Sequence, residues 1–335
     1  MLLKEYLKEY TRAELLDEAR SLELKKYSGL RKEVLIDKIV NCFCGAEMLR
    51  SRLVCLTKEQ LSLFRKACEM PQDISDDQLV DGIQMYRYWF GAFEEDTDRF
   101  CVYEEIAEAF SKIDDEAFRQ EQHKKGWMMK CVQFFMDYYG IAPLEVIYKL
   151  YSLRIHDTID EMITMLLSMP VDFVESVILS GESLEMEKWP KDDPLYSPRG
   201  LFVHISLLGE EEFDDLLNQQ MDKSFYIPSR RQMEEICCRG YEASVPAYKE
   251  LETFFMKEMD MPYGYAATWC FQVWVNSFAG KTAADVIRKM TEANIEFKSE
   301  RQMEKFIKLL MRAHNSTRMK VNRGHTPTEV YRIFS

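Results

Sequence analysis

Among the helix-start signals in this chain of 335 residues are six pairs in which a Ser or Thr is followed three positions later by a Glu or Gln at the head of an apolar-periodic stretch. The pairs are Thr11 and Glu14, Thr57 and Gln60, Ser75 and Gln78, Ser229 and Gln232, Ser299 and Gln302, and Thr326 and Glu329. Each reads as a capping box. The hydroxyl accepts the third backbone amide of a helix, and the Glu or Gln side chain reaches back to the amide of the Ser or Thr. Two of the four orphan donors at a helix start are satisfied in this way. Pro327 adds a residue suited to the first helical position, where its missing N–H costs nothing. A chain with this many helix starts is expected to be mainly α. Gly (13) and Pro (10) are too scarce for a turn-rich all-β fold. The length suits two or three hydrophobic cores better than one.

The expected helices lie at about 11–22, 30–43, 58–69, 76–90 and 158–168, with others between 104 and 140 and from 209 onward. Gly140 suits the residue just past a helix end, and Pro143 opens the next helix. Two short hairpins interrupt the pattern. One lies within 89–105, where Gly91, Asp96 and Asp98 break the helix and "RFCVY" is β-prone. In the other, "VDFVESVIL" (171–179) and "GLFVHISLL" (200–208) flank a loop carrying Pro190, Pro194 and Pro198. This alternation points to a helical body with a winged-helix-like element. The expected segments are a helical module at 1–45, a helical body with hairpins at 46–208 and a helical subdomain at 209–335. "PSRRQMEE" (228–235) and "KSERQMEK" (298–305) match in register, through either a duplicated unit or a reused capping solution.

Residues 261–280 carry no charge over a bilayer-spanning length. They contain Pro262, Gln272 and Asn276 and no basic flank precedes them, so a helix buried on all sides is expected rather than a membrane span. "MLLKEYLKEYT" is too frequently charged for a signal peptide. The nine cysteines form no C-x-x-C pair, which argues against zinc and for thiols in a reducing cytoplasm. The five histidines show no ligand spacing, and no phosphate-binding, nucleophile-elbow or metalloprotease motif occurs. Cys131 with His123 reads as structural. The acidic runs "EEDTD" (94–98) and "GEEEFDD" (209–215) read as solvated faces. No enzyme activity, metal or cofactor is expected.

The formal net charge is −13, unevenly spread. Residues 1–45 carry +1, residues 281–335 carry +6 and the middle carries −20. Contacts to phosphate are therefore expected at the ends, where the local field favours them. At the first end, Leu15, Leu16, Ala19 and Leu22 make one apolar stripe, and Leu30, Val34, Leu35 and Ile39 make a second. Between them, Lys25 to Lys32 holds four positive charges and no acid, directly before a helix start whose dipole favours anions. Lys25, Lys26, Tyr27, Ser28, Arg31 and Lys32 are the candidate contacts to DNA or RNA. The alternative is that the helix pair only packs or docks. "ELLDEARSLELKKYSGLRKEVLIDKI" resembles the N-terminal SAP-like helical domain of transcription termination factor Rho, over about residues 8–43. That resemblance implies a module associated with nucleic acid.

At the second end, "NSTRMKVNRGHTPTEVYR" (315–332) groups Arg318, Lys320, Arg323 and His325 around a Gly324 turn. The motif is similar to the C-terminal signature of uncharacterised bacterial helical proteins, some of which carry a Rho-like module. Many of those continue into a SEC-C zinc motif. The 335 residues contain none, so no metal follows from the likeness. The four residues read as an anion contact or, preferably, as a docking loop tied by side-chain hydrogen bonds. Two functions follow. One is a nucleic-acid-binding or regulatory protein. The other is a protein-interaction scaffold whose acidic body meets a basic partner.

Overall fold

The computed structural model describes residues 1–75, 78–94, 97, 99–221 and 223–334. Asp76 and Asp77 in the third capping pair, and Glu95, Asp96 and Asp98 in the 94–98 acidic run, lie outside the described residues. Eighteen helices and six short strands form among the rest, so the protein is mainly α with a few β elements. In chain order the first are α1 (Leu3–Leu7), α2 (Arg12–Ser21), α3 (Lys32–Phe43), α4 (Ala46–Leu53), α5 (Lys58–Glu69), β1 (Gln72–Asp73) and α6 (Leu79–Arg87). Then come β2 (Gly91–Phe93), β3 (Arg99–Val102), α7 (Glu104–Phe110), α8 (Glu116–Tyr138), β4 (Ile141–Pro143), α9 (Leu144–Tyr151), α10 (Ile159–Leu167) and α11 (Val171–Val174). The chain continues with β5 (Ser176–Leu179), β6 (Leu201–His204), α12 (Glu210–Gln220), α13 (Arg230–Arg239) and α14 (Pro246–Glu258). It ends with α15 (Tyr263–Phe278), α16 (Ala283–Glu292), α17 (Glu300–Asn315) and α18 (Pro327–Phe334).

The chain divides into two compact units. One is Met1–Met129 with Asp160–Val174, and the other is Lys130–Ile159 with Glu175–Ser335. Neither boundary falls at 45 or 208. In the first unit the N-terminal helices do not stand apart. The Met1 amine meets Glu104 at 3.0 Å, and the Leu3 amide donates to Glu105 at 2.9 Å. Phe43 at the end of α3 packs against Trp89 and Phe90. The buried stripe of α3 is Leu35, Ile36, Ile39 and Phe43, whereas Val34, expected inside, is half exposed. The hairpin expected in 89–105 forms, with Gly91 opposite Val102 and β1 adding a third strand. A side chain at Gly91 would meet the Cys101 carbonyl oxygen at 2.2 Å, which explains a glycine inside a strand.

In the second unit β5 and β6 form the other hairpin, and β4 pairs with the opposite side of β6. Ile141, Leu201 and Val203 pack there with Leu195 and Leu216. A separate cluster is built by α14, α15, α16 and α17 around Leu251, Phe255, Val273, Met290 and Phe306. Gly140 closes α8 with φ +72°.

Three expectations change. The run 171–179 is not all strand. Pro170 starts the helical turn α11, Asp172 pairs with Arg52 at 2.7 Å, and Phe173 stacks on Tyr88 at 3.9 Å. Packing claims the first half of a β-prone run. Helix α6 begins at Leu79 with no side-chain cap, because Ser75 donates to the Gln78 side chain instead of receiving a helix amide. Helix α15 buries Ala266, Trp269, Cys270 and Val273 but leaves Tyr265 44% and Phe271 38% exposed, so it is amphipathic rather than buried all round. Among the described residues no helix is long and apolar enough to cross a membrane.

Candidate nucleic-acid interface

The loop between α2 and α3 is anchored from both sides. Leu22 is buried, and the Leu24 amide returns to the Ala19 carbonyl at 2.9 Å, closing α2. The Leu30 amide bonds the Tyr27 carbonyl at 3.0 Å, which makes a tight turn before α3. Cations tie down the exposed carbonyls of this turn. Arg12 donates to the Ser28 carbonyl at 2.6 Å, Lys38 donates to the Lys25 and Lys26 carbonyls, and Lys32 donates to the Lys8 carbonyl at 2.6 Å.

The six candidate residues thus divide. Lys25, Lys26, Ser28 and Arg31 are exposed, while Tyr27 and Lys32 are half-buried. Lys25, Lys26 and Arg31 make no ion pair among the described residues. Arg31 takes the N-cap position of α3 and supplies no side-chain acceptor, so the leading amides of α3 have no side-chain cap. Such a helix start attracts anions, opposed in part by Glu33 in the first turn. Arg12 and Lys38 belong to the same cationic ring and escaped the sequence reading. They sit on the flanking helices, and only the fold brings them to the turn.

The C-terminal loop is built differently. Arg318 is 7% exposed, and its guanidinium is fully engaged. Nε donates to Glu242 at 2.6 Å, one terminal nitrogen donates to the Gly324 carbonyl at 3.0 Å and to Glu329 at 2.9 Å, and the group lies 3.4 Å from the Tyr226 ring centroid. Arg323 is also buried, lies over the Phe225 ring at 4.7 Å and donates to the Lys223 carbonyl. Its φ of +48° and that of Gly324, +81°, turn the chain sharply. His325 stands between Glu329, at 3.5 Å, and Ser224, at 3.3 Å. Lys320 is half-buried, and its carbonyl accepts from the buried Gln220. Burial pulls the Lys320 ammonium down and pushes the nearby Asp137 carboxyl up to about 6. These four residues are brought together, with Arg318 paired to two carboxylates, His325 beside Glu329, Arg323 buried and Lys320 near the charge of Asp137.

Glu329 ties the loop to α18. Burial opposes its ionisation, but hydrogen bonds from His325 and the Thr326 amide and the charge of Arg318 outweigh it, holding the carboxyl at about 2. A carboxylate held below its usual value of about 4.5 adds stability above that pH and loses it as pH falls toward 2. The side chain is 38% exposed, so solvent screening reduces the effect to about 1–2 kcal/mol. Denaturation of Glu329→Gln between pH 7 and pH 2.5 is expected to show a shallower acid loss than the parent by that amount. Equal slopes would rule out this coupling.

Among the described residues no group of three or more His, Cys, Asp or Glu side chains is placed to hold a metal ion. Cys131 is fully buried, and burial pushes its thiol well above the usual range, which makes it a poor nucleophile. No protein-family model matches the chain. No curated protein and no solved structure matches it either.

Proposed function

We propose that this chain is a nucleic-acid-binding or regulatory protein of the cytoplasm, without catalytic activity, that holds phosphate through Lys25, Lys26 and Arg31. One observation carries this reading. Of the two cationic clusters, the C-terminal one buries Arg318 and Arg323 against Glu242, Glu329 and backbone carbonyls, whereas Lys25, Lys26 and Arg31 are exposed at an uncapped helix start. The resemblance of residues 8–43 to the N-terminal domain of Rho supports it. The −20 charge of residues 46–280 supports a second reading, a scaffold for a basic protein partner.

The test uses the full chain, because residues 1–45 contribute to the core of the first unit. Fluorescence anisotropy would compare labelled single-stranded RNA, single-stranded DNA and duplex DNA at two salt concentrations, with the parent and with Lys25→Glu/Lys26→Glu. The parent is expected to bind with strong salt dependence. The variant is expected to lose at least about 10-fold in affinity and to show a log–log salt slope shallower by about 1–2. Unchanged binding by the variant would remove the loop as the site. No binding by the parent at low salt would favour the scaffold.

A further inference from the structure

A cleft lies in the second compact unit. It has a volume of about 340 Å³ and is lined by residues of α13, α14, the start of α15 and the turn joining α13 to α14. That volume is at the small end of the range for small-molecule sites. The turn is fixed before any ligand arrives, because Glu235 accepts both the Ser244 amide and the Ser244 hydroxyl at 2.6 Å. Tyr248 is also fixed, its hydroxyl bonded to Thr317 at 2.6 Å. Tyr263, by contrast, is 57% exposed at the start of α15 and presents its ring to the cleft.

The charges around this cleft are the informative part. Glu235 is saturated by Ser244. Arg231, Lys249 and Glu252 also line the cleft, and their side chains make no hydrogen bond or ion pair among the described residues. Glu235 keeps its charge, so two cations face two carboxylates and the lining is neutral overall; with Glu235 engaged by Ser244, Arg231 and Lys249 outnumber Glu252 as open groups beside an exposed aromatic ring. Arg231 offers a planar fork and Lys249 a point charge, the two ways proteins meet a carboxylate or phosphate. Aromatic faces stack planar rings.

We propose that this cleft binds a small anion carried on a planar ring, with the ring on Tyr263 and the anionic group between Arg231 and Lys249. The site is independent of the Lys25 loop and of the function proposed above. It carries no chemistry beyond binding.

Isothermal titration of the full chain would use two probes with the shared chemistry, adenosine 5′-monophosphate and benzoate. Adenosine and inorganic phosphate supply the ring and the anion separately. At least one of the two joined probes is expected to bind with a Kd below 1 mM, and at least about 10-fold more tightly than either separate part. Which of the two binds more tightly distinguishes a nucleotide from an aromatic acid. Arg231→Ala/Lys249→Ala should weaken that binding at least 10-fold. Tyr263→Ala should weaken it several-fold, and Glu252→Gln should tighten it about 2–3-fold by removing the opposing charge. Lys25→Glu/Lys26→Glu should leave it unchanged, which separates this site from the first. All the substituted side chains are exposed or half-buried, so folding is preserved. The proposal is overturned if neither probe binds below 1 mM, if binding survives the Arg231/Lys249 change, or if Glu252→Gln weakens it.

Discussion

Replacing Arg318 by alanine is expected to cost about 3–5 kcal/mol of stability, the range for removing one partner of a buried ion pair. The cost arises mainly from what remains. Glu242 is 9% exposed, and without Arg318 its carboxylate keeps a hydrogen bond from Gln232 but no counter-charge. The Gly324 carbonyl and Glu329 lose donors at the same moment, and the Tyr226 face loses the guanidinium stacked on it. Arg318→Lys should recover only part of the loss, because an ammonium cannot serve Glu242, Glu329 and the ring in one plane. The pair itself need not be stabilising. Exchanging Arg318 and Glu242 together for Met and Leu should be less damaging than Arg318→Ala alone, since no buried charge is then left. Urea denaturation of these variants decides the point. A loss below about 1 kcal/mol for Arg318→Ala would mean that the loop is held by something other than this network.

The same network shows where sequence reading stops. Thr11, Thr57 and Ser229 are legible as helix starts because a capping box needs only residues three apart, and each forms both reciprocal bonds. The box at Thr282 and Asp285 escaped because Asp stands where Glu or Gln was sought. The basic turn was legible for the same local reason, since its charge, its turn and the helix after it are contiguous. Arg318 was visible only as one of a run of cations. Its partner Glu242 is 76 residues away, and no local rule links the two. Strand β4 was missed because three residues carry no alternation to read, and it exists only by pairing with β6. The segment 1–45 reads as a module because the helix pair is complete in sequence. What the sequence does not show is that the inner face of α3 continues to Phe43 and meets aromatic rings from later in the chain.

That last contact carries the second large effect. Phe43 is 1% exposed, with ring centroids 5.8 Å from Trp89 and 6.2 Å from Phe90 and the Arg52 guanidinium 5.6 Å from its ring. Phe43→Ala removes a ring from a closed aromatic cluster and is expected to cost about 3–5 kcal/mol. Lys25→Glu/Lys26→Glu, on exposed side chains of the same region, should change stability by less than about 0.5 kcal/mol. The two variants therefore separate folding from binding. Deleting residues 1–45 would not, because it also removes Leu3, Leu7, Leu15, Ala19, Leu22, Leu35, Ile36 and Ile39, all buried in this unit. Thermal denaturation of Phe43→Ala beside the parent supplies the measurement. If the substitution costs less than about 1 kcal/mol, the helix pair is only loosely attached and a detached basic module becomes the better description. A loss in the expected range makes the basic turn a rigid part of the first unit, held by the ring that ends α3.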